Sequence, residues 1–203
     1  LFFDTSKKNF VVSWSMNPQH IITSDEHKTA SLTERLEAAQ KVIEHGYLVG
    51  FHFDPMIAVT GWENEYANLI DTITRYIPES SMTWISLGTL RLSPEVKEAM
   101  IERFPKSALP YGEFVFSEDG KYRYIKPLRV KMYELMLKKI REHFPKVWVY
   151  LCMEYEDIWQ KVMPLVPDDN GHLDYLFALS LYERFSIFFS NQPERSFFYD
   201  NVK

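Results

Sequence analysis

The sequence contains a single cysteine, Cys152, among 203 residues. One cysteine allows no internal disulfide and cannot by itself hold a cysteine-ligated zinc or iron–sulfur site. No apolar run approaches the roughly 18 residues that a membrane-spanning helix needs, and the most apolar stretch, "YLFALSLYERFSIFF", is interrupted by Glu183 and Arg184. These absences predict a cytoplasmic protein without a membrane segment.

Positive charge is not in excess either. The formal net charge is −5, so the field of the whole molecule does not attract nucleic acid or an anionic membrane, and any such contact must be local. A hydrophobic fraction of 46% is enough for a buried core. The chain begins at Leu1, without methionine or signal-like features, inside a stretch that is typical of folded sequence, which predicts a fragment of a longer protein.

Strand and helix patterns alternate along most of the chain. Ser31 and Glu34 form a capping box before an amphipathic helix, and Gly46 follows its last turn. Strands are predicted at 9–15, 47–53, 82–88 and 147–152, and helices at 31–46, 62–77, 93–104, 127–144 and near 156–163. Such alternation indicates a parallel sheet. The predicted fold class is therefore α/β, and four units cannot close a complete barrel of about 250 residues.

The pattern changes after residue 110. The stretch "EFVFSEDGKYRYI" predicts a β hairpin in which Asp119 and Gly120 form a two-residue turn, with positive φ at both. Residues 172–189 fit either a helix or a docked tail. We therefore divide the chain into an α/β region at 1–110, a hairpin, helix and strand region at 111–167, and a tail at 168–203.

The apolar run "GYLVGFHFDPMI" stops at a carboxylate, Asp54. Ligands of parallel sheets bind beyond the carboxyl ends of the strands, which makes this position a candidate site. Polar residues follow the other strands as well: Ser15 and Asn17, Thr89 and Arg91, and Cys152 and Glu154. We expect them to converge. The plainer interpretation is that Asp54 and Pro55 start a turn and that Ser15 and Asn17 bond local backbone.

Arg91 and Cys152 have two interpretations each. Arg91 fits a substrate carboxylate or phosphate, or a structural pair with Glu95 or another acid. Cys152 can donate hydrogen to a radical, or simply pack at the strand end. His52 lies within a buried run, which favours a histidine whose nitrogens bond inside the core.

A basic segment extends from Lys121 to Arg141. It holds eight Lys or Arg and one acid, Glu134, and so carries a net charge of +7. Such a segment can contact phosphates, and Tyr122 and Tyr124 can stack on unpaired bases. The alternative is a solvated helix face with lysines covering the edge of the core.

Several stretches together resemble one family. They are "VSWSMNPQHII", "RLEAAQKVIEHGYLVGFHFDPMI", "GWENEY", "ISLGTLRLSPEVKEAMIERFP" and "GKYRYIKPLRVKMYELMLKKI" leading into "VYLCME". Over about residues 9–163 the chain is similar, in consistent order, to the C-terminal part of the spore photoproduct lyase family of radical S-adenosylmethionine proteins. The resemblance implies a partial (β/α)6 barrel whose fourth to sixth strands are 9–15, 47–53 and 82–87.

The resemblance also implies cofactors and site residues. In the family, an N-terminal C-x3-C-x2-C loop holds a [4Fe-4S] cluster, and S-adenosylmethionine is cleaved there to a 5′-deoxyadenosyl radical; that loop is not in this sequence. Ser15 matches the serine that bonds the methionine part of the cofactor, with Asn17 beside it. Asp54 falls on the adenosyl side, where the lyase has a small residue, and Lys121 matches a lysine of the DNA-contacting hairpin.

We therefore expect the C-terminal portion of a radical S-adenosylmethionine enzyme that acts with its missing N-terminal part. The substrate is unknown, with DNA or another nucleic acid as one candidate, contacted through Arg91, Lys121 and Tyr122. Neither cofactor is expected to bind to this chain alone. Two other hypotheses remain open: a non-catalytic α/β binding module, and a metal-free hydrolase that uses Asp54 and Glu154 as acid and base.

Overall fold

The computed structural model describes residues 10–198. Its strands are β1 (Val11–Ser15), β2 (Leu48–Met56), β3 (Met82–Thr89), β4 (Arg91–Leu92), β5 (Phe114–Phe116), β6 (Tyr122–Tyr124) and β7 (Trp148–Leu151). Its α-helices are α1 (Gln19–Asp25), α2 (Leu32–Glu44), α3 (Trp62–Tyr76), α4 (Pro94–Arg103), α5 (Lys126–His143), α6 (Glu156–Val162) and α7 (Asn170–Phe185).

The strands form two sheets. β1, β2, β3 and β7 lie side by side in that order, and each neighbouring pair is parallel. β4, β6 and β5 form a small antiparallel sheet. The predicted α/β class with a parallel sheet and a hairpin is therefore confirmed, whereas β4 has no counterpart in the prediction.

Helix α2 begins and ends as its sequence indicates. The Ser31 side chain accepts a hydrogen bond from the Glu34 backbone, and the Glu34 side chain accepts one from the Ser31 backbone. At the other end Gly46 has φ +81°. Its N–H donates to Ile43, and the next N–H donates to Val42, which is the double bond of a Schellman motif.

Alternate residues of the parallel strands face opposite sides. One side holds buried apolar residues, among them Phe51, Phe53, Ile85, Leu87 and Val149, which share one core with α2, α3 and α5. Fully burying such a side chain stabilises the fold by about 1.5–3 kcal/mol. This helix-covered face anchors the strands and fixes where their ends lie.

The opposite face of the sheet, which we call the inner face, is covered only in part. Trp84 lies across Gly50 so closely that a Cβ on the glycine would meet the indole at 2.6 Å. Phe177 of α7 contacts the rings of Trp84 and Tyr150, with centroid distances of 5.2 and 6.4 Å. Ser15, at the end of β1, is exposed. Aromatic rings therefore cover the middle of this face, and its β1 edge stays open.

Two local predictions change, and one undecided region is resolved. Residues 19–25, expected to be a polar connection, form α1, in which Ile21 and Ile22 are buried. Strand β2 continues past Asp54 to Met56, with a shift in its pairing to β3 after Phe53. The undecided region near 172–189 forms α7. Residue 9 of the first predicted strand and residues 199–203 of the predicted tail lie outside the described range. The division of the chain at residues 110 and 167 stays a prediction.

The hairpin turn is longer than predicted. The Ser117 N–H donates to Lys121, and the Gly120 N–H donates to Ser117. Gly120 has φ +75°, whereas Asp119 is not in the left-handed region. This is a three-residue loop closed by a left-handed glycine, the next most common hairpin after the two-residue turn.

Candidate functional site at the strand ends

A cavity of about 430 Å³ opens at the carboxyl ends of the parallel strands. Ser15 at the end of β1 and Asp54 in β2 both line it, as does Asn17 in the connection after β1. The expectation that Ser15 and Asp54 face one cavity is confirmed. Ligand sites typically have volumes of roughly 300–1,000 Å³, so this space fits a small cofactor.

Ser15 contributes to this cavity a hydroxyl that no other described protein group engages. It is exposed, and its side-chain hydroxyl makes no hydrogen bond within residues 10–198. Its backbone carbonyl accepts a bond of 2.8 Å from Arg35 of α2. The backbone is therefore held while the hydroxyl stays available to a ligand.

Asn17 has a different environment. Its residue is only 4% exposed, its amide nitrogen donates to Glu26 at 2.8 Å, and its amide oxygen accepts from Tyr66 at 2.7 Å. The Tyr66 hydroxyl also accepts from the Ile57 N–H, and burial raises the pKa of Tyr66 well above its usual value. Because both ends of the amide already bond to protein, Asn17 supports the cavity wall.

Asp54 and Arg91 meet at the third strand end. Nη2 of Arg91 is 3.2 Å from each carboxylate oxygen of Asp54, and Nη1 donates to the carbonyl of Cys152 at 3.1 Å. A Cβ on Gly88 would lie 2.5 Å from Asp54. Arg91 thus pairs with an acid, as one of its two interpretations required, although the acid is Asp54 and not Glu95. Thr89 is buried and does not line the cavity.

Cys152 joins the same group. Burial, followed by a hydrogen bond to Asp54, raises the pKa of its thiol to about 11. The sulfur is therefore protonated at neutral pH and is a weak nucleophile. A protonated thiol beside the cavity is compatible with hydrogen donation, and that role stays a prediction.

Glu154 does not reach the cavity, which argues against the hydrolase hypothesis. Its side chain is 1% exposed and is bound by the guanidinium of Arg129 and by the Tyr133 hydroxyl at 2.9 Å. Asp54 is likewise occupied by Arg91. A carboxylate sealed among these donors has no access to a substrate or a water, so the expected acid–base pair across an open mouth is wrong.

The hairpin exposes little of its basic side chains. Lys121 is half-buried, and Arg123 is 3% exposed and bound to Asp119 at 2.6 Å. This ion pair lowers the pKa of Asp119 to about 2. Tyr124 is buried, with its hydroxyl bonded to the Ala58 N–H. Tyr122 packs beneath Lys97, whose Nζ is 4.2 Å from the ring centroid.

The basic segment is largely neutralised by the fold. Acids pair with five of its eight cations: Arg123, Lys126, Arg129, Lys131 and Lys139. Four of those acids come from outside the α5 helix. Arg141 instead donates to the backbone carbonyl of Val147 at 2.7 Å. Lys121, Lys138 and Arg141 form no ion pair within the described residues, so the segment presents less positive charge than its sequence suggests.

Sequence reasoning missed Arg35 and Glu26. Arg35 is 7% exposed and bonds to Glu26, Ser15 and the backbone of Ala30. The signal was present: Arg35 stands four residues before Ala39 and seven before Val42, on the apolar stripe of α2. His52, by contrast, has both ring nitrogens bonded as expected, to Ser86 and Ser13, although it is half-buried and not part of the core. Burial lowers its pKa.

Two negative findings apply to residues 10–198. No group of three or more His, Cys, Asp or Glu side chains there is arranged to hold a metal ion. None of the helices in this range combines the length and the apolar character needed to cross a bilayer.

A parallel sheet covered by helices, with a ligand-sized cavity at its strand ends, defines the class as an incomplete TIM-like α/β barrel. The chain belongs to the spore photoproduct lyase family, whose model matches residues 3–152. The resemblance read from the sequence is thus confirmed, and the chain corresponds to the C-terminal part of that family.

Individual relatives agree with this assignment. Spore photoproduct lyase from Clostridium acetobutylicum is 25% identical over 147 residues, which are 68% of this chain and 43% of the relative. The Bacillus subtilis lyase is 29% identical over 102 residues, or 49% and 30%. A solved lyase variant with bound AdoMet and dinucleoside spore photoproduct has a TM-score of 0.63 at 28% identity, covering 70% and 44%. The chain spans less than half the length of these relatives.

Proposed function

We propose that this chain is the C-terminal part of a radical S-adenosylmethionine lyase and supplies one wall of its cofactor site. The family match over residues 3–152 and the cavity shared by Ser15 and Asp54 support this function. A solved relative binds AdoMet. The proposal extends to a cytoplasmic enzyme whose substrate is a nucleic acid, because that same relative holds a dinucleoside spore photoproduct.

The residues present fit S-adenosylmethionine and do not fit the iron–sulfur cluster. Ser15 supplies a free hydroxyl, and the carboxylate of Asp54, held in place by Arg91, lines the same cavity. The cluster needs three thiolates, and the sequence has one cysteine. When bound, the cluster and cofactor together supply the 5′-deoxyadenosyl radical. This chain contributes binding, orientation and exclusion of water from the strand ends.

Replacing Ser15 with alanine is expected to weaken cofactor binding by about 10-fold, since a hydrogen bond to a charged ligand contributes about 1.5–3 kcal/mol. The test uses protein translated from the complete open reading frame that contains these residues. It is reconstituted anaerobically, and S-adenosylmethionine binding is measured by equilibrium dialysis.

Ser13→Ala is the matched control, because Ser13 bonds to His52 and does not line the cavity. Equal affinities for the two variants would remove Ser15 from the site. Failure of the reconstituted protein to form 5′-deoxyadenosine would instead favour the non-catalytic binding module.

The 203-residue chain alone is expected not to assemble a [4Fe-4S] cluster, because three of the four irons need protein thiolates and Cys152 is the one thiol present. Anaerobic reconstitution followed by iron and sulfide analysis is the measurement. Cys152→Ser should retain the same background iron as the parent chain. Stoichiometric iron and sulfide that disappear in this variant would contradict the expectation.

A further inference from the structure

A second and larger cavity, of about 1,000 Å³, lies beside the candidate cofactor cavity. We call it the basic cleft. It runs between α1 and the 103–112 connection from α4 to β5, and three residues, Asp25, Ile57 and Leu109, line both cavities. A ligand in the basic cleft would therefore border on a cofactor held at the strand ends.

Basic side chains line the basic cleft. Arg103 is the last residue of α4 and Lys106 follows in the connection to β5, while His20 and His27 come from α1 and the turn after it. All four residues are exposed. Asp25 is the one acid in the lining, and its two oxygens already accept bonds of 2.5 Å from Ser24 and Ser107.

The cations of the basic cleft differ from those of α5. Within residues 10–198, Arg103 and Lys106 form no ion pair, whereas most basic groups between Lys121 and Arg141 are neutralised by the fold. His20 has a carboxylate of Glu65 at 3.3 Å. Unpaired arginine and lysine at a concave surface attract phosphate, with arginine able to bind it through two parallel hydrogen bonds.

Exposed aromatic rings lie beside these basic side chains in the cleft. Tyr111 is 64% and Phe104 45% exposed, and both line the cleft. The ring of His27 lies 5.3 Å from that of Phe104. Exposed aromatic rings next to basic side chains are the combination with which proteins hold unpaired bases and their phosphates, because every base has a face that can stack.

We infer that the basic cleft binds a nucleotide unit of the substrate, with Arg103 and Lys106 on the phosphate and Tyr111 or Phe104 on the base. This inference rests on the proposed function for its substrate class. It moves the main nucleic-acid contact from the hairpin and α5 to the cleft that adjoins the cofactor cavity. The shared wall then places the stacked base next to the strand ends.

Fluorescence anisotropy with 5′-fluorescein-labelled hexathymidylate tests the inference directly, without S-adenosylmethionine or a cluster. The double variant Arg103→Ala/Lys106→Ala is compared with Lys121→Ala/Lys138→Ala, which removes the same charge from the hairpin and α5. We expect the cleft variant to weaken binding by about 10-fold or more at 50 mM salt. Its plot of log K against log salt should be flatter by about 1.4, since each phosphate contact on a single strand contributes about 0.7.

Tyr111→Ala separates stacking from charge. It should weaken binding about 10-fold and leave the salt slope unchanged, because a stacked base contributes about 1–3 kcal/mol. Circular dichroism checks that each variant stays folded, which the exposure of these side chains favours.

Three results would overturn the inference: no detectable binding, an equal loss in both double variants, or a larger loss in Lys121→Ala/Lys138→Ala. The last would return the contact to the hairpin. The outcome is independent of 5′-deoxyadenosine formation, so a failed proposed function and a failed cleft give different results.

Discussion

Replacing Glu154 with alanine is expected to lower the free energy of unfolding by about 3–5 kcal/mol, the usual effect of removing one partner from a buried ion pair. The carboxylate is 1% exposed and lies between Arg129, 7% exposed, and Arg123, 3% exposed. Both guanidiniums also stand over the ring of Tyr155. Without Glu154 two cations remain buried, with Asp119 as the partner of one of them. Urea denaturation measures the change.

Two further variants test whether the loss of stability comes from the buried ion pair. Glu134→Ala removes an exposed acid from α5 and should change the stability by no more than about 0.5 kcal/mol. Glu154→Gln keeps the shape and one acceptor oxygen, so its loss of stability should fall between those of Glu154→Ala and Glu134→Ala. If Glu154→Ala and Glu134→Ala unfold at the same urea concentration, the buried pair does not hold α5 to β7 as the structure indicates.

Replacing Arg35 with alanine is expected to lower the free energy of unfolding by about 3 kcal/mol, because its side chain is 8% exposed and pairs with Glu26. The guanidinium also donates to the carbonyls of Ser15 and Ala30, at 2.8 and 2.9 Å. The variant leaves both carbonyls without this donor. Urea denaturation gives the stability, and hydrogen exchange should rise in the 26–30 loop.

Arg35→Lys and Arg75→Ala are the matched variants. Lysine keeps the charge but lacks the planar fork that reaches several acceptors at once. Arg35→Lys should therefore lower the free energy of unfolding about half as much as Arg35→Ala does. Arg75 is exposed near the end of α3, and its loss should be small. An Arg35→Ala chain as stable as Arg75→Ala, with unchanged exchange at 26–30, would mean that this arginine does not tie β1 to the cavity wall.

The regular elements were predictable because their signals are local. The apolar strand pattern at 82–88 and the Ser31–Glu34 box each involve residues only a few positions apart, and both appear in the structure. Helix α1 was missed because its two buried residues, Ile21 and Ile22, are adjacent and show no helical repeat. A short helix of this kind forms through packing more than through sequence periodicity.

The position of the candidate site could be predicted from the sequence, but the ion pairs around it could not. Asp54 could be placed at a strand end from its apolar run, since strand ends share one edge of a parallel sheet. Its partner Arg91 is 37 residues away, and Glu154 is 25 residues from Arg129. Local charge counting gave the 121–141 segment seven excess positive charges, because the acids that neutralise most of it arrive from other parts of the chain.

The contact between Phe177 and Trp84 extends the packed structure beyond the residues that the family model matches. The family model ends at Cys152, yet α7, which lies beyond that point, supplies the ring that covers Trp84. Arg184 of the same helix donates to the carbonyls of Thr83 and Glu79, at 3.2 and 2.8 Å. The segment that the family model matches is therefore shorter than the segment that packs together. Homology boundaries drawn at residue 152 would cut through a packed aromatic cluster.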